Sequence, residues 1–358
     1  MVKKLLERGI EVARPGKVDH SVKIKIASEG KMVETPGFHT LSPRDLIFFY
    51  HDTVYFAPPL FLSSQSDIAA YKWLAQDLRK LGSKWMKSWK GAYDENTPYW
   101  EAANLLRVGL DIVFLISVSG NELGYQNFRQ LLDERYKGRV RVHPLRNSYS
   151  GIHIDTTLTL IGWNEKLGKY LVFADQSVTD PTTIPPIFRG KNWVVLEITK
   201  EHIIDFGTIN GYEITSPKLA ENFFMINSKL AVVDEKQTKI VKLLQFYGIE
   251  CLESSNPYGR EVGGGFHCMT NDWNRQEEKD FNKVLDDPLN ANISNEDLNG
   301  LFDGELLEIL QRKGDVDQWN DICNREKIFP TYATQHLKEE KVKEMLERHQ
   351  KVKELQIK

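Results

Sequence analysis

The sequence predicts an α/β fold, because short apolar runs alternate with amphipathic stretches along the chain. A strand–strand–helix–strand order recurs, although no strict repeat of fixed period is present. Hydrophobic residues make up 41% and charged residues 27% of the 358 positions, which is ordinary for a globular protein and excludes a disordered chain. The length allows a sizeable core and two or three domains.

The first elements lie in the N-terminal third of the chain. Apolar runs predict strands at 46–50 and 54–56. Apolar residues recur at helical spacing over 67–81, and Gly82 follows as a stop signal, so this segment is predicted to be a helix. The run 111–118 is apolar enough to form a buried strand.

The middle of the chain continues this alternation. Further strands are predicted at 140–144, 152–161, 169–174, 223–226 and 230–233. The last two strands form a hairpin across Asn227 and Ser228. Helices are predicted at 121–136 and 236–247, and the second of them ends at Gly248.

The composition changes towards the C-terminus. Residues 274–299 are polar and rich in Asp and Asn, 301–310 predict a helix, and 337–358 alternate Lys and Glu around a few apolar residues. The charged tail is interpreted as a solvated helix packed on the body, with a short coiled-coil or partner helix as the alternative. We therefore expect a main α/β domain at 1–275 and a mostly helical extension at 276–358.

Charge and cysteine usage exclude several classes of protein. The net charge of −3 gives no basic footprint for nucleic acid or an acidic membrane surface. The longest apolar run, 112–116, is far short of the ~20 residues that span a bilayer. Three cysteines are too few for a disulfide scaffold, and their spacing fits no zinc site. The start of the chain has no secretory core, so a reducing, cytoplasmic location is expected.

The strongest local signal is a run of three glycines before Phe266, His267 and Cys268. Glycine permits backbone conformations with positive φ and a close approach to a ligand. A cysteine after such a turn can be exposed, and neighbouring cations or N–H groups can favour its thiolate. Cys268 is therefore a candidate nucleophile. A phosphate-binding glycine loop is the alternative, but the pattern lacks the Gly-Lys-Ser/Thr and dinucleotide spacings.

A second signal lies at His153 and Asp155, on the strand predicted at 152–161. Residues two apart in a strand face the same side, so the histidine could serve as general acid and base beside a carboxylate that holds a cation. A structural His–Asp pair is the alternative at this point. Asp45 and Glu101 lie at the edges of predicted strands, where an isolated acid is more often a cap or a surface charge.

Four sequence pieces in a fixed order carry a family resemblance. They are Pro43-Arg44-Asp45, Glu101-Ala102-Ala103, His153-Ile154-Asp155 and the string from Gly263 to Cys268. Together they resemble the guanidino-group-modifying enzymes, and above all the amidinotransferases typified by arginine:glycine amidinotransferase. The resemblance extends from about residue 4 to about residue 272.

The resemblance implies a five-bladed α/β-propeller, or pentein fold, of ββαβ modules around a pseudo-five-fold axis. The active site would then lie in the central channel, and 1–275 would be the catalytic domain. Family members usually carry a further strand-bearing stretch before the point that matches Leu5. We therefore expect an incomplete first module, unless the extension at 276–358 completes it.

The resemblance also implies roles for single residues. Cys268 would attack the guanidino carbon, and His153 would protonate the leaving amine and later deprotonate the incoming one. Asp45 and Asp155 would hold the guanidinium. Glu101 would orient His153, at a position where amidinotransferases usually have Asp and arginine deiminases have Glu.

Other positions depart from the family pattern. Ser150 and Ile152 stand where glycine-using enzymes carry Asn and Met, so the acceptor pocket is expected to differ. Ser216 falls near a serine that contacts substrate in the family. Gln176 occupies the place of an arginine that grips the α-carboxylate of the donor.

The function implied is transfer of the amidino group of L-arginine to an amine acceptor, with glycine as the default acceptor and guanidinoacetate and ornithine as products. The reaction would pass through an amidino-cysteine and need no metal or organic cofactor. A homodimer is expected, with neither nucleic acid nor membrane as a partner. The alternatives are a deiminase-like hydrolase of the same superfamily and a non-catalytic protein that binds guanidino compounds.

Overall fold

The computed structural model covers most of the predicted strands. Its described residues are 1–14, 23–25, 32–34, 41–50, 53–59, 71, 84–86, 96–136, 138–146, 152–175, 183–209, 212–213, 215–257, 259 and 263–273. The predicted helices at 67–81 and 301–310, the charged tail at 337–358 and the rest of the extension at 276–358 lie outside these ranges, apart from Tyr71.

The described elements are short. In chain order the strands are β1 (Lys23–Lys25), β2 (Met32–Glu34), β3 (Ile47–Tyr50), β4 (Thr53–Phe56), β5 (Lys84–Met86), β6 (Leu105–Val108), β7 (Asp111–Leu115), β8 (Arg141–Leu145), β9 (Leu158–Asn164), β10 (Lys169–Asp175), β11 (Trp193–Ile198), β12 (Thr208–Ile209), β13 (Tyr212–Glu213), β14 (Phe224–Asn227), β15 (Leu230–Asp234) and β16 (Glu250–Ser254). The α-helices are α1 (Val2–Leu6), α2 (Pro43–Leu46), α3 (Glu122–Tyr136) and α4 (Thr238–Phe246). Short 3₁₀ helices lie at Ala102–Asn104, Ile154–Thr156, Pro186–Arg189, Lys200–His202 and Pro217–Ala220.

Four three-stranded sheets share one topology. Their strand orders are β3-β4-β5, β6-β7-β8, β9-β10-β11 and β14-β15-β16. In each sheet the first two strands form an antiparallel hairpin, and the third strand pairs in parallel with the second. A parallel partner requires a crossover connection, which contains α3 in the second sheet and α4 in the fourth. These sheets with their crossovers are named units one to four.

Within the described ranges the sheets remain separate, and none of them closes on itself. The other strands form two antiparallel pairs, β1-β2 and β12-β13. None of the described helices is both long enough and apolar enough to cross a membrane.

The crossover helix α3 shows how sequence periodicity produces the packing. Its buried side chains include Tyr125, Phe128 and Leu132, which recur every three or four positions and therefore form one apolar face. The Phe128 ring lies 5.0 Å from that of Trp100 and 5.7 Å from that of Phe48, in edge-to-face contact. Phe48 belongs to unit one, so this helix joins units one and two.

Further core clusters join the units in chain order. Leu115 and Leu145 of unit two pack with Val172 of unit three, and Phe173 of unit three packs with Val233 of unit four. The segment after β16 then returns to unit one, where it contacts α2. Residues far apart in sequence are thereby brought together.

Most of the sequence predictions within these ranges are confirmed to within a few residues. The predicted strands at 46–50, 54–56, 111–118, 140–144 and 169–174, the hairpin across Asn227 and Ser228, and both crossover helices are present. Gly248, which follows α4, has φ of +79°, as expected for a glycine that ends a helix.

The predicted strand at 152–161 is wrong in its first half. His153 is extended, but Ile154–Thr156 forms a 3₁₀ helix, and β9 begins only at Leu158. The hydroxyl of Thr156 donates to the carbonyl of His153 at 3.0 Å. This local bond favours a turn over a continuous strand, although the residue types have high β-propensity.

Candidate active site

A short helical turn precedes the first strand of each unit, and these turns position the predicted site residues. Asp45 lies in α2, before β3, and Glu101 directly precedes the turn before β6. His153 precedes the turn before β9, and Asp155 lies within it. Ser216 precedes the turn before β14. Equivalent positions of repeated units thus contribute to one site.

The segment that carries Cys268 is fixed by Asn222. The Cys268 N–H donates to Asn222 Oδ1 at 3.1 Å, and the His267 N–H donates to the Asn222 carbonyl at 3.1 Å. Asn222 Nδ2 donates in turn to the carbonyl of Asp155 at 3.2 Å. A Cβ on Gly265 would lie 2.3 Å from the Asn222 carbonyl oxygen, so only glycine allows this approach.

The thiol of Cys268 is buried and surrounded by negative charge. Its Sγ lies 3.4 Å from Asp155 Oδ2, and the residue is 5% exposed. Burial and the charges of Asp155 and Asp45 raise the pKa of Cys268 well above its ordinary value. The thiol is therefore protonated at neutral pH until positive charge enters the site.

His153 lies between two carboxylates. Its Nε2 is 2.6 Å from Glu101 Oε2, and its Nδ1 is 3.7 Å from Asp45 Oδ1. Burial by itself would lower the pKa of His153, but the charge of Asp45 and the hydrogen bond and charge of Glu101 outweigh it and raise the pKa to about 9. His153 is consequently an imidazolium at neutral pH and can donate a proton.

Asp155 is the central carboxylate of the site. His267 Nδ1 donates to its Oδ2 at 2.7 Å. Burial would raise the pKa of Asp155, but the hydrogen bond and charge of His267, with the charges of His153 and Arg44, lower it to about 2. Its other oxygen, Oδ1, is buried and has no hydrogen-bond partner among the described residues. This oxygen therefore has capacity to accept a further hydrogen bond.

The predicted pocket residues are only partly described. Ile152 is partly buried beside His153, and its carbonyl accepts hydrogen bonds from the Ser117 and Ser119 hydroxyls at 2.7 Å each. Ser216 is partly buried, and the turn that follows it packs against the turn Ile154–Thr156. Ser150 lies outside the described residues.

One cluster could hold a metal ion. Asp45, Glu101 and His153 each offer a ligand atom, and these atoms lie within 4.8 Å of one another. A metal would have to displace the proton that the two carboxylates hold on His153, since a histidine must be neutral to act as a ligand. The three side chains are therefore as well suited to hold a protonated His153 as to bind a metal ion.

Two residues of this site were missed by the sequence analysis as site residues. Asn222 and His267 bond directly to the groups that carry the candidate chemistry. His267 directly precedes the candidate nucleophile Cys268 in the sequence, and this position could have indicated that it belongs to the site. Asn222 is 1% exposed, and no local pattern in the sequence indicates its contact with Cys268, 46 positions further on.

Comparison with known proteins finds several relatives, although no family model matches the chain. Inosamine-phosphate amidinotransferase 1 of Streptomyces griseus is 31% identical over 286 residues, which cover 76% of this chain and 77% of that protein. The mitochondrial glycine amidinotransferase of Xenopus laevis is 27% identical over 304 residues, covering 77% of this chain and 68% of that protein.

Solved structures give the same relationship. The structure of the Streptomyces griseus inosamine-phosphate amidinotransferase is similar with a TM-score of 0.66 and 28% identity, over 77% of this chain and 78% of that one. An amidinotransferase of the saxitoxin pathway from Microseira wollei has a TM-score of 0.64 at 24% identity, over 77% of this chain and 81% of that one. The second similarity shows the fold alone.

Proposed function

Because the chain belongs to the amidinotransferase family, we propose that it moves the amidino group of L-arginine to an amine acceptor through an intermediate on Cys268. The observation that carries this proposal is the buried Asp155. One of its oxygens lies beside the thiol, and the other has no partner among the described residues. A guanidinium ion offers the paired N–H donors that such a carboxylate accepts.

We also propose that units one to four are four modules of the five-bladed propeller that the family resemblance implies. Their common hairpin-plus-parallel-strand topology supports this proposal. The central position of the site follows from it, since each helical turn before a unit would point towards the same axis.

The donor guanidinium would bind between Asp45 and Asp155. Its positive charge would offset the two carboxylates that raise the pKa of Cys268, so arginine itself would favour the thiolate. The nucleophile would then be active only when the donor is bound. This coupling protects the thiol in the absence of substrate.

The first half-reaction begins when Sγ attacks the guanidino carbon and forms a tetrahedral adduct. The His153 imidazolium donates its proton to the nitrogen of the leaving group, the carbon–nitrogen bond breaks, and ornithine departs. The thiol proton leaves to solvent when arginine binds and the thiolate forms, so His153 is neutral once it has protonated ornithine. An amidino-thioether remains on Cys268, with its positive charge beside Asp155.

In the second half-reaction the acceptor amine attacks the same carbon. Neutral His153 takes the proton of that amine while the carbon–sulfur bond breaks. The departing thiolate is protonated from solvent once the guanidino product has left, which restores the thiol. Glu101 holds the histidine ring in one orientation through both steps, because it bonds to Nε2 at 2.6 Å. Nδ1 then faces Asp45 and the donor site.

The acceptor is proposed to be a primary amine, for which glycine is the default. Ile152 beside the histidine is stiff and β-branched, whereas the family pattern has methionine there, and Ser150 replaces an asparagine. We propose that amines larger than glycine are accepted at least as well. The two named relatives differ in the acceptor that their names carry, which supports a variable pocket.

Lys218 is proposed as the cation for the α-carboxylate of the donor. The family arginine is replaced by Gln176, and Lys218 Nζ bonds to the adjacent Asp175 at 2.8 Å. Lys218 lies on the turn that packs against Ile154–Thr156, and its side chain is 32% exposed. It can therefore reach a ligand from the side of Asp155.

The test is mass spectrometry of the protein mixed with arginine and a panel of amines. The proposal predicts an amidino adduct on the peptide that contains Cys268, ornithine as first product and a guanidino product with at least one amine. Citrulline without any amine would instead indicate a hydrolase. Absence of both products and of the adduct would indicate a binding protein and contradict the proposal.

A further inference from the structure

The cysteine-bearing segment is bound to the helix that carries Asp45. The Arg44 N–H donates to the carbonyl of Cys268 at 3.4 Å, and Arg44 Nε donates to the carbonyls of Thr270 at 3.0 Å and His267 at 3.4 Å. Because Arg44 directly precedes Asp45, these bonds fix the nucleophile relative to one of the two acids of the donor site.

A single carboxylate completes this connection. Asp272 Oδ1 accepts from Arg44 Nη2 at 2.7 Å, and Asp272 Oδ2 accepts from Arg107 Nη2. Arg107 also donates to the carbonyl of Phe49 at 2.8 Å. Asp272 therefore links the cysteine segment to α2 and β3 of unit one and to β6 of unit two.

The three side chains are nearly buried. Their exposed fractions are 11% for Arg44, 14% for Arg107 and 7% for Asp272. Buried charges of this kind are stable only when they are paired, and removal of one partner leaves the others uncompensated. Asp272 bonds to both arginines, so its loss removes an ion pair from each of them at once.

On the basis of the function proposed above, we propose that Asp272 is a positioning residue. It sets the distance between the Cys268 thiol and Asp45, and it moderates the charge that Arg44 presents to the site. The electrostatic part follows from the neighbours of Arg44. Its charge contributes to lowering the pKa of Asp155 and of His267, and both of these groups lie beside Cys268. Asp272 offsets part of that charge through its ion pair with Arg44 Nη2 at 2.7 Å.

The test compares Asp272→Asn with Asp133→Asn. Asp133 is a matched control, because its one ion pair within the described part of the chain is an exposed contact with Arg129 on α3 at 3.8 Å. Rates are expressed per folded molecule, counted by circular dichroism, each of which carries one Cys268 thiol, so that unfolded protein does not count. We expect kcat for Asp272→Asn to fall about 10²-fold, since a displacement of about 1 Å can cost that much, with a higher KM for arginine. Asp133→Asn keeps wild-type values.

A second readout separates positioning from general stability. Asp155, Asp45, His153, His267 and Arg44 are the charged or titratable groups around the thiol. In Asp272→Asn the guanidinium of Arg44 loses its ion pair with Asp272, so the midpoint of Cys268 alkylation by iodoacetamide moves to lower pH. A loss of stability alone lowers the melting temperature and the titratable fraction, but leaves this midpoint and kcat per thiol unchanged.

Asp272→Glu serves where Asp272→Asn does not fold, because it keeps the charge and both ion pairs. Its extra methylene shifts the segment, so kcat per thiol falls about tenfold while the alkylation midpoint stays at the wild-type pH. Wild-type kcat in Asp272→Glu, or wild-type kcat and midpoint in a folded Asp272→Asn, overturns the positioning role. Failure of the wild-type protein to form an amidino adduct overturns the proposed function instead, and the alkylation midpoints still decide the role of Asp272.

Discussion

Two histidines, His143 buried and His153 partly buried, bond to carboxylates at the same distance, but their surroundings differ. His153 Nε2 lies 2.6 Å from Glu101 Oε2, and His143 Nε2 lies 2.6 Å from Asp111 Oδ1. The first pair lies in the candidate active site. The second pair joins β7 to β8 inside unit two. Asp111 lies opposite Arg141 on β8, and His143 lies two positions further along that strand.

The difference lies in what balances the carboxylate. Arg141 donates to both oxygens of Asp111, at 2.7 Å and 2.6 Å, so that His143 meets a charge that is already compensated. Burial would raise the pKa of Asp111, but the hydrogen bonds of His143 and Arg141 lower it. The cluster is complete by itself and ties two strands together.

The site around His153 has carboxylates on both sides of the ring. Asp45 and Glu101 hold a proton on the histidine, and Asp155 beside them has an oxygen without a partner among the described residues. This site carries negative charge that a bound cation would balance. A buried histidine–carboxylate pair is thus structural where its charge is balanced internally, and suited to binding and proton transfer where it is not.

The largest expected effect is a difference in turnover between variants of the two histidines. His153→Asn removes the general acid, so each half-reaction slows by about 10²–10⁴-fold. His143→Asn removes a structural contact, so the melting temperature falls while kcat per folded molecule stays within about twofold of the wild type. Single-turnover kinetics with labelled arginine measure both. A loss of only a few-fold in His153→Asn would remove that residue from its role.

The pH dependence of the first half-reaction tests whether His153 is the proton donor. The pKa of His153 is raised to about 9, so the proton that ornithine needs is present at neutral pH and is lost as the pH rises through about 9. The value of kcat/KM for arginine, which reports the protonation state of the free protein, therefore falls above that pH. Glu101→Gln removes one of the charges that raise this pKa, so the fall moves to lower pH. A profile whose alkaline limb is the same in both enzymes contradicts the assignment.

A smaller effect is expected at the structural cluster. Arg141→Met leaves the buried Asp111 with His143 as its remaining partner among those described above, and should destabilise the protein by about 1–3 kcal/mol. The arginine side chain is 31% exposed, which limits the loss. Urea unfolding measures the change, and arginine turnover per folded molecule should stay the same. A selective loss of turnover at unchanged stability would mean that this cluster serves the site.

The smallest expected effect concerns acceptor choice. Ile152→Met restores the flexible side chain of the family pattern next to His153, and should shift preference towards glycine. Discrimination by one methylene group is worth ~1–3 kcal/mol, so the ratio of kcat/KM for glycine and for longer ω-amino acids should change by about 10-fold to 10²-fold. Exclusive use of glycine by the wild-type protein would contradict a widened pocket.

The sequence predicts which residues meet at the candidate site better than it predicts the contacts that hold them there. Cys268, His153, Asp45 and Asp155 were identified through a motif order, and the structure brings them together. The links between Asn222 and Cys268 and between Asp272 and Arg44 were not predicted. The first contact joins residues 46 positions apart and the second joins residues 228 positions apart. Local sequence periodicity carries no information about contacts over such separations.

The errors in secondary structure also have physical causes. The segment after Ile152 has β-branched residues typical of a strand, but Thr156 bonds back to His153 and closes a turn. The strand β16 was not predicted, because Glu250 and Glu253 are exposed and interrupt its apolar character. It pairs along its full length with the buried strand β15, so tertiary context outweighs its composition.

The proposed mechanism depends most directly on the formation of a covalent amidino group on Cys268. The decisive measurement is rapid quenching of the protein with arginine and no amine, followed by mass spectrometry of the peptides that contain Cys268 and Cys251. The pKa of Cys251 is raised to about 12 by burial, so this cysteine is the internal control. The account predicts one amidino group on Cys268, release of one equivalent of ornithine, and an unmodified Cys251. An unmodified Cys268 while arginine is being consumed would contradict it.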